Sequence, residues 1–292
     1  MADDLPSIAG PTSRTAAEAK TVGMGDNSLA PPGANKADCQ PTIEHPNPVV
    51  LVHGSDSTAY LDWAGLSPRL RERGLCVFAL NYGQVEGVGN AQIPIAESSA
   101  QLAAVVGQVL DQTGAENVDL VGFSQGAAVT RYYVNILGGD EHVDKWVGLA
   151  SPTYGGTFYG VGAAVAAEPR GSALIGAALG PALPELIVGS EFLTRLNAGG
   201  DTGRGVDYTT ISTRYDEMIQ PYQNQLLRGP GATNLVIQDQ CPANLIGHMS
   251  LPYDAFTQDL IIQTLDPSAP EPVCQQVPLG TGMLELMIVS NS

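Results

Sequence analysis

A serine hydroxyl, an imidazole and a carboxylate are enough to transfer an acyl group at neutral pH, provided that distant parts of a chain bring them together. In this 292-residue sequence the serine that stands out is Ser124, within "VDLVGFSQGAAVTRYYV" (Val118 to Val134). An apolar strand, Val118 to Phe123, runs straight into it, and a helix from about Gln125 to Leu137 follows. Gly122-Phe123-Ser124-Gln125-Gly126 fits G-x-S-x-G, the pattern of a serine on a sharp strand-to-helix turn flanked by residues small enough for close backbone approach. Five residues alone say little, because glycine and serine punctuate ordinary turns. The strand before and the helix after give the pattern its weight.

A serine needs a base, and the chain has four histidines. His45 and His53 precede Ser124, whereas this arrangement runs serine, acid, histidine along the chain. His142 precedes the next strand, which places it at the opposite end of a parallel sheet. His248, in a loop before a closing helix, remains. The acid that orients it is expected to be Asp216, at the end of the strand in "VDYTTISTRYD". Glu217 is adjacent but should point elsewhere, and Asp239 is the rival. Oxyanion donors are expected from the backbone N–H of Gln125 and from Ser55 in "LVHGSDSTAY", with the Ser55 or Ser57 hydroxyl as a further donor. His53 is expected to shape that loop and not to carry protons.

The elements needed to position these groups are legible as alternating apolar runs and amphipathic helices. Strands are expected at Asn47 to Gly54, Gly74 to Gly83, Val118 to Phe123, Val143 to Pro152, Val206 to Asp216 and Thr233 to Asp239. Helices are expected in "DWAGLSPRLRERG", from Pro94 to Gly114, after Ser124 and from Pro252 to Leu265. Continuous valine-rich strands separated by helices indicate a mostly parallel sheet covered on both faces, an α/β fold. Such sheets bind ligands at the carboxyl ends of their strands, where Ser124 falls.

Residues 1–36, rich in Ala, Gly, Pro, Ser and Thr, read as a flexible tail ahead of one domain over 37–292. Residues 153–200 contain a long, almost uncharged stretch, Tyr154 to Leu193, that reads as an apolar cap or lid. Tyr154 and Leu251 are the expected substrate contacts.

Composition narrows the function classes. With 13 basic and 30 acidic residues the formal charge is −17, which opposes nucleic-acid binding. No run approaches the roughly 18 apolar residues of a transmembrane helix. No metal-ligand cluster is evident, so neither metal nor cofactor is expected, and a monomer is the expected state. Cys39, Cys76, Cys241 and Cys274 allow three disulfide pairings; Cys39–Cys76 and Cys241–Cys274 each bracket one coherent piece of chain, and disulfides imply an oxidising compartment. No secretory leader precedes "ADDLPSIAG", so a secreted protein would be represented here by its mature form with an added Met.

Taken together, "VVLVHG", "DWAGLSPRLRERGLCVFALNYG", "GFSQGAAVTRYY", "YDEMIQPY" and "LVIQDQCPANLIGHMSLPYD" resemble the secreted actinobacterial lipases and esterases of lipase class 2. More distantly they are similar to the lipase B of the yeast Candida antarctica. The resemblance spans roughly Asp38 to Pro267. It implies an α/β-hydrolase fold, hydrolysis of carboxylic esters, Ser124, Asp216 and His248 as triad, donors at Ser55 and Gln125, and the two disulfides paired as above. The yeast enzyme has threonine where this chain has Ser55, which keeps the hydroxyl, whereas the apolar insert departs from the short yeast lid. Acylglycerols and short-to-medium acyl esters are the expected substrates. A polyester hydrolase with the same triad, or a catalytically silent fold that binds lipid or a partner, are the alternatives.

Overall fold

The computed structural model describes residues 5–157 and 181–290. In chain order the strands are β1 (Ile8–Ala9), β2 (Leu29–Ala30), β3 (Val49–Val52), β4 (Val77–Leu80), β5 (Val118–Phe123), β6 (Val143–Leu149), β7 (Asp207–Ser212) and β8 (Thr233–Val236). The last six form one sheet in the order β4-β3-β5-β6-β7-β8, with every pair parallel. Side chains alternate across a strand, so each strand feeds two cores. Val49, Leu51, Val121 and Val147 face a layer containing Trp63, Leu66, Phe256 and Ile261. Val50, Val52, Leu120 and Trp146 face another containing Leu102, Val105 and Val129. That two-sided burial explains why the strands read as unbroken apolar runs.

Helices α1 (Ala16–Gly23), α2 (Ala59–Trp63), α3 (Leu66–Glu72), α4 (Ile95–Thr113) and α5 (Gln125–Ile136) cover the first half of the chain. α4 begins after Pro94 and ends at Gly114 in the left-handed region (φ 69°), as its flanking proline and glycine predict. The helix expected in "DWAGLSPRLRERG" is two, α2 and α3, broken near Gly65. There a side chain would crowd the Ser13 carbonyl and the Gln258 amide. Thr233 to Asp239 is strand only as far as Val236; Ile237–Gln240 is a helical turn that takes Asp239 off the sheet. β7 stops at Ser212, four residues before Asp216. The closing helix runs from Ala255 to Leu265, capped by Asp254, which accepts a hydrogen bond from the Thr257 N–H.

The reading of residues 1–36 as a flexible tail does not hold for residues 5–36. β1 and β2 form a small parallel ladder around α1, and Thr15 caps α1 by accepting the Glu18 N–H. The fully buried ring of Tyr60 lies against Gly10 and Gly23, where a Cβ on either glycine would collide with it. Its hydroxyl donates to the Pro11 carbonyl at 2.9 Å. Asn35 bonds the backbone of β4, the edge strand, donating to the Ala79 carbonyl and accepting the Ala79 N–H, both at 2.8 Å. The small residues that suggested disorder are what allow this segment to lie flat on the domain.

Cysteines pair as Cys39–Cys76 and Cys241–Cys274. Of the cap stretch, residues 158–180 lie outside the described residues. Among the described residues no helix is long and apolar enough to cross a membrane.

Candidate active site

β5 delivers Ser124 at the carboxyl edge of the sheet. Its backbone is held at φ 51°, ψ −119°, a region L-residues rarely occupy and keep only where the surroundings enforce it. Here they do. The Ser124 N–H donates to the Leu149 carbonyl on β6 at 2.9 Å, and its carbonyl accepts the Ala127 N–H at 3.0 Å. Both glycines of the pattern are sterically required. A Cβ on Gly122 would sit 2.6 Å from the Gly126 carbonyl oxygen, and one on Gly126 would strike the carbonyls of Val52 and His53 on the neighbouring strand.

His248 opens a short 3₁₀ segment, His248–Tyr253. Its Nε2 is 3.0 Å from Ser124 Oγ, and its Nδ1 is 2.8 Å from Asp216 Oδ2. A carboxylate only accepts, so Nδ1 carries the proton and Nε2 presents its lone pair to the serine hydroxyl. Asp216 is fully buried, and its other oxygen accepts the N–H groups of Met218 and Ile219 at 2.8 and 2.7 Å. Phe123 lies beside the imidazole, with ring centroids 5.0 Å apart. Burial works to lower the His248 pKa, but the nearby Asp216 carboxylate, aided by Glu217 and Asp62, outweighs it and holds the value above the ordinary 6.5.

Asp239 is no rival: its exposed carboxylate pairs with Arg214. Glu217 does avoid the ring, yet it has a task, accepting the His248 backbone N–H at 2.8 Å. His142 lies at the amino end of β6, where its carbonyl receives the Val118 N–H. His53 is fully buried and stacked on Tyr82, and burial depresses its pKa to about 4, so it stays neutral.

Gln125 is the first residue of α5, so its N–H has no partner within the helix and sits at the positive end of the helix dipole. The Ser55 hydroxyl donates to Gln125 Oε1 at 2.6 Å, while Gln125 Nε2 donates to the Ala91 carbonyl at 3.0 Å. This ties the loop after β3 to the elbow. The Ser57 hydroxyl turns away to Asp62. Ser124 and His248 open onto a cleft of about 370 Å³ whose apolar wall includes Phe123, Leu183, Met218, Met249 and Leu286.

Two expected substrate contacts are elsewhere. The Tyr154 hydroxyl donates to Asp201, and the Arg228 guanidinium lies 3.6 Å above its ring; Tyr154 is not among the described residues that line the cleft. Leu251, within the His248–Tyr253 segment, is fully buried and points into the core. Both misplacements have one cause: nearness in sequence to the site does not say which way a loop side chain turns.

Residues 46–255, more than half of the chain, match the family model described as Lipase (class 2). The chain belongs to the class 2 lipase family. It is 35% identical over 108 residues to a triacylglycerol lipase of Burkholderia plantarii, covering 35% of this chain and 28% of that protein. Among solved structures it resembles lipase B of Aspergillus fumigatus, with TM-score 0.65, 21% identity, and coverage of 84% of this chain and 60% of that one. It also resembles mature Bacillus licheniformis lipase BlEst2, with TM-score 0.59, 16% identity, and coverage of 77% and 94%. These neighbours show the fold, which is that of the α/β-hydrolase lipases. The chain spans less than a third of the Burkholderia relative and about three fifths of the Aspergillus one.

What sequence reasoning missed in this member of the class 2 lipase family is the rim of the cleft. Ala16 and Lys20 of α1 and Leu286 of the C-terminal helix Met283–Ser290 line it, and Lys20 Nζ donates to Ser290 Oγ at 2.7 Å. A signal for α1 was present in Thr15 and Glu18, a capping pair ahead of helix-favouring residues, but the segment was read as a tail. Its docking site was not. Asp62 was also missed, although its place one turn into α2 was the available signal.

Proposed function

We propose that the protein is a serine carboxylic-ester hydrolase that cleaves acylglycerols and short-to-medium acyl esters through an acyl-enzyme on Ser124. Ser124 Oγ attacks the ester carbonyl while His248 Nε2 takes its proton. Asp216 stabilises the imidazolium that forms. The oxyanion develops toward the backbone N–H groups of Gln125 and Ser55. His248 then returns the proton to the leaving alcohol, and a water that it activates releases the acid. The observation that carries this reading is the continuous contact from Asp216 through His248 to Ser124, at 2.8 and 3.0 Å. The apolar cleft beside it suits an acyl chain. Two disulfides favour work outside the cytosol, and we place the protein among secreted enzymes on that ground.

A fluorophosphonate probe should label the wild type at Ser124 and leave Ser124→Ala unlabelled. The same substitution should lower p-nitrophenyl butyrate hydrolysis by about 10⁴-fold or more. A Ser124→Ala protein as active as the wild type overturns the assignment, and a folded wild type without label or turnover marks a silent binding fold.

A further inference from the structure

The oxyanion loop, Gly54 to Ser57, has features that its own sequence does not support. Asp56 holds φ 51°, in the left-handed region, and no regular element includes the loop. Something outside must fix it. The Gln92 side chain donates to Asp56 Oδ1, and Asn90 Nδ2 donates to the Ser57 carbonyl at 3.2 Å. The strongest restraint is Asp62 on α2. One of its oxygens accepts the Gly54 N–H at 2.7 Å, and the other accepts the Ser57 hydroxyl, also at 2.7 Å. A single carboxylate thus grips both sides of Ser55, whose N–H the proposed reaction needs. The same side chain lines the cleft with Ser124 and His248.

Resting on the hydrolase reading above, we propose that Asp62 is a positioning residue of the reaction: it pins the oxyanion loop and adds a carboxylate, beyond Asp216 and Glu217, within electrostatic reach of the His248 imidazolium. Asp216 orients the ring from Nδ1 and Glu217 holds the His248 backbone N–H, while Asp62 acts from the side of the oxyanion loop, so the charge formed during catalysis has three carboxylates near it. A carboxylate is expensive to keep in such a place. Burial pushes the Asp62 pKa up to about 6, against the bonds from Gly54 and Ser57 and the attraction of His248. A residue serving structure alone could be an amide. Asparagine would keep an acceptor for Gly54, and its NH₂ could donate to a Ser57 hydroxyl turned round to accept. The negative charge therefore points to the reaction. The other titratable groups facing this carboxylate are Tyr82 beyond β4 and Tyr253 of the 3₁₀ segment, with Asp56 and Lys20 on the same cleft.

The test compares Asp62→Asn and Asp62→Ala with the wild type on p-nitrophenyl butyrate across pH. Wild-type kcat/KM falls as acid protonates His248, at a pH above the ordinary imidazole value of 6.5 because neighbouring carboxylates favour the charged ring. Asp62→Asn keeps the pin and removes the charge, so this acid limb moves to lower pH. Asp62→Ala removes both, leaving the Gly54 N–H unpaired. Its kcat drops about tenfold to a hundredfold with KM little changed, less than the ~10²–10³ lost when an oxyanion donor is deleted outright. An Asn variant whose acid limb coincides with that of an active wild type, or a folded Ala variant with wild-type kcat, overturns the role of Asp62 and leaves the hydrolase reading standing. Where the Ala protein does not fold, the Asn profile decides. An inactive wild type instead removes the hydrolase reading and this one with it.

Discussion

The two sides of the cleft are built on different terms. The elbow side is set by the sheet: Ser124 is placed by β5, its neighbours by steric exclusion against β3, and its backbone by a bond to β6. The rim opposite is made from the two ends of the chain, α1 and the C-terminal helix. The contacts that hold it include the Tyr60 ring, side-chain bonds to backbone carbonyls and an exposed lysine-to-serine contact. The first side tolerates almost no change in backbone position. The second rests on contacts that can be removed one at a time. Geometry that must be accurate to a few tenths of an ångström is confined to the first.

Substitutions on the two sides should separate accordingly. The largest effect belongs to the sheet-borne machinery. Asp216→Asn is expected to lower kcat by about 10⁴-fold, since an amide no longer holds the imidazole in its working tautomer. Asp239→Asn should leave kcat unchanged, and equal losses in the two variants would hand the acid role back to Asp239. Next comes the ring under the N-terminal segment. Tyr60→Ala should cost about 3–5 kcal/mol in denaturant unfolding, with faster proteolysis before residue 36. Resistance equal to the wild type would mean that the segment is anchored elsewhere. The smallest effect is at the junction of the termini. Lys20→Ala should change stability by less than about 1 kcal/mol, as for other exposed polar contacts, while changing relative rates on short and long acyl esters. Rates that keep the same ratio would remove α1 from the substrate wall.

The contrast also accounts for what could be read from the sequence. The meeting of Ser124, His248 and Asp216 was legible because a strained turn needs glycine at two fixed offsets, few histidines are available, and an acid just beyond an apolar strand falls at the carboxyl edge of the sheet, although β7 itself ends at Ser212. The sheet was legible because strands buried on both faces have no choice but to be apolar. The rim was not. Nothing near Gly10 or Gly23 says that their missing side chains make room for Tyr60, far along the chain. Tyr154 failed for the same reason, since its partners Asp201 and Arg228 arrive from another segment. The end of β8 was misread because Ile237 continues an apolar run while the backbone has already turned helical. Local steric demands leave a local mark, and long-range docking does not.

Each disulfide closes a ring of chain, and each ring contains one loop that the proposed reaction needs. The Cys39–Cys76 ring encloses the oxyanion loop and Asp62; the Cys241–Cys274 ring encloses His248. Ser124 and Asp216 lie outside both. By loop-closure entropy each link removes up to about 4 kcal/mol of unfolded-state freedom. The groups that depend least on the sheet are thus fastened by covalent bonds. Thiol reagents should therefore slacken the donor loop and the base while leaving the nucleophile on its strand.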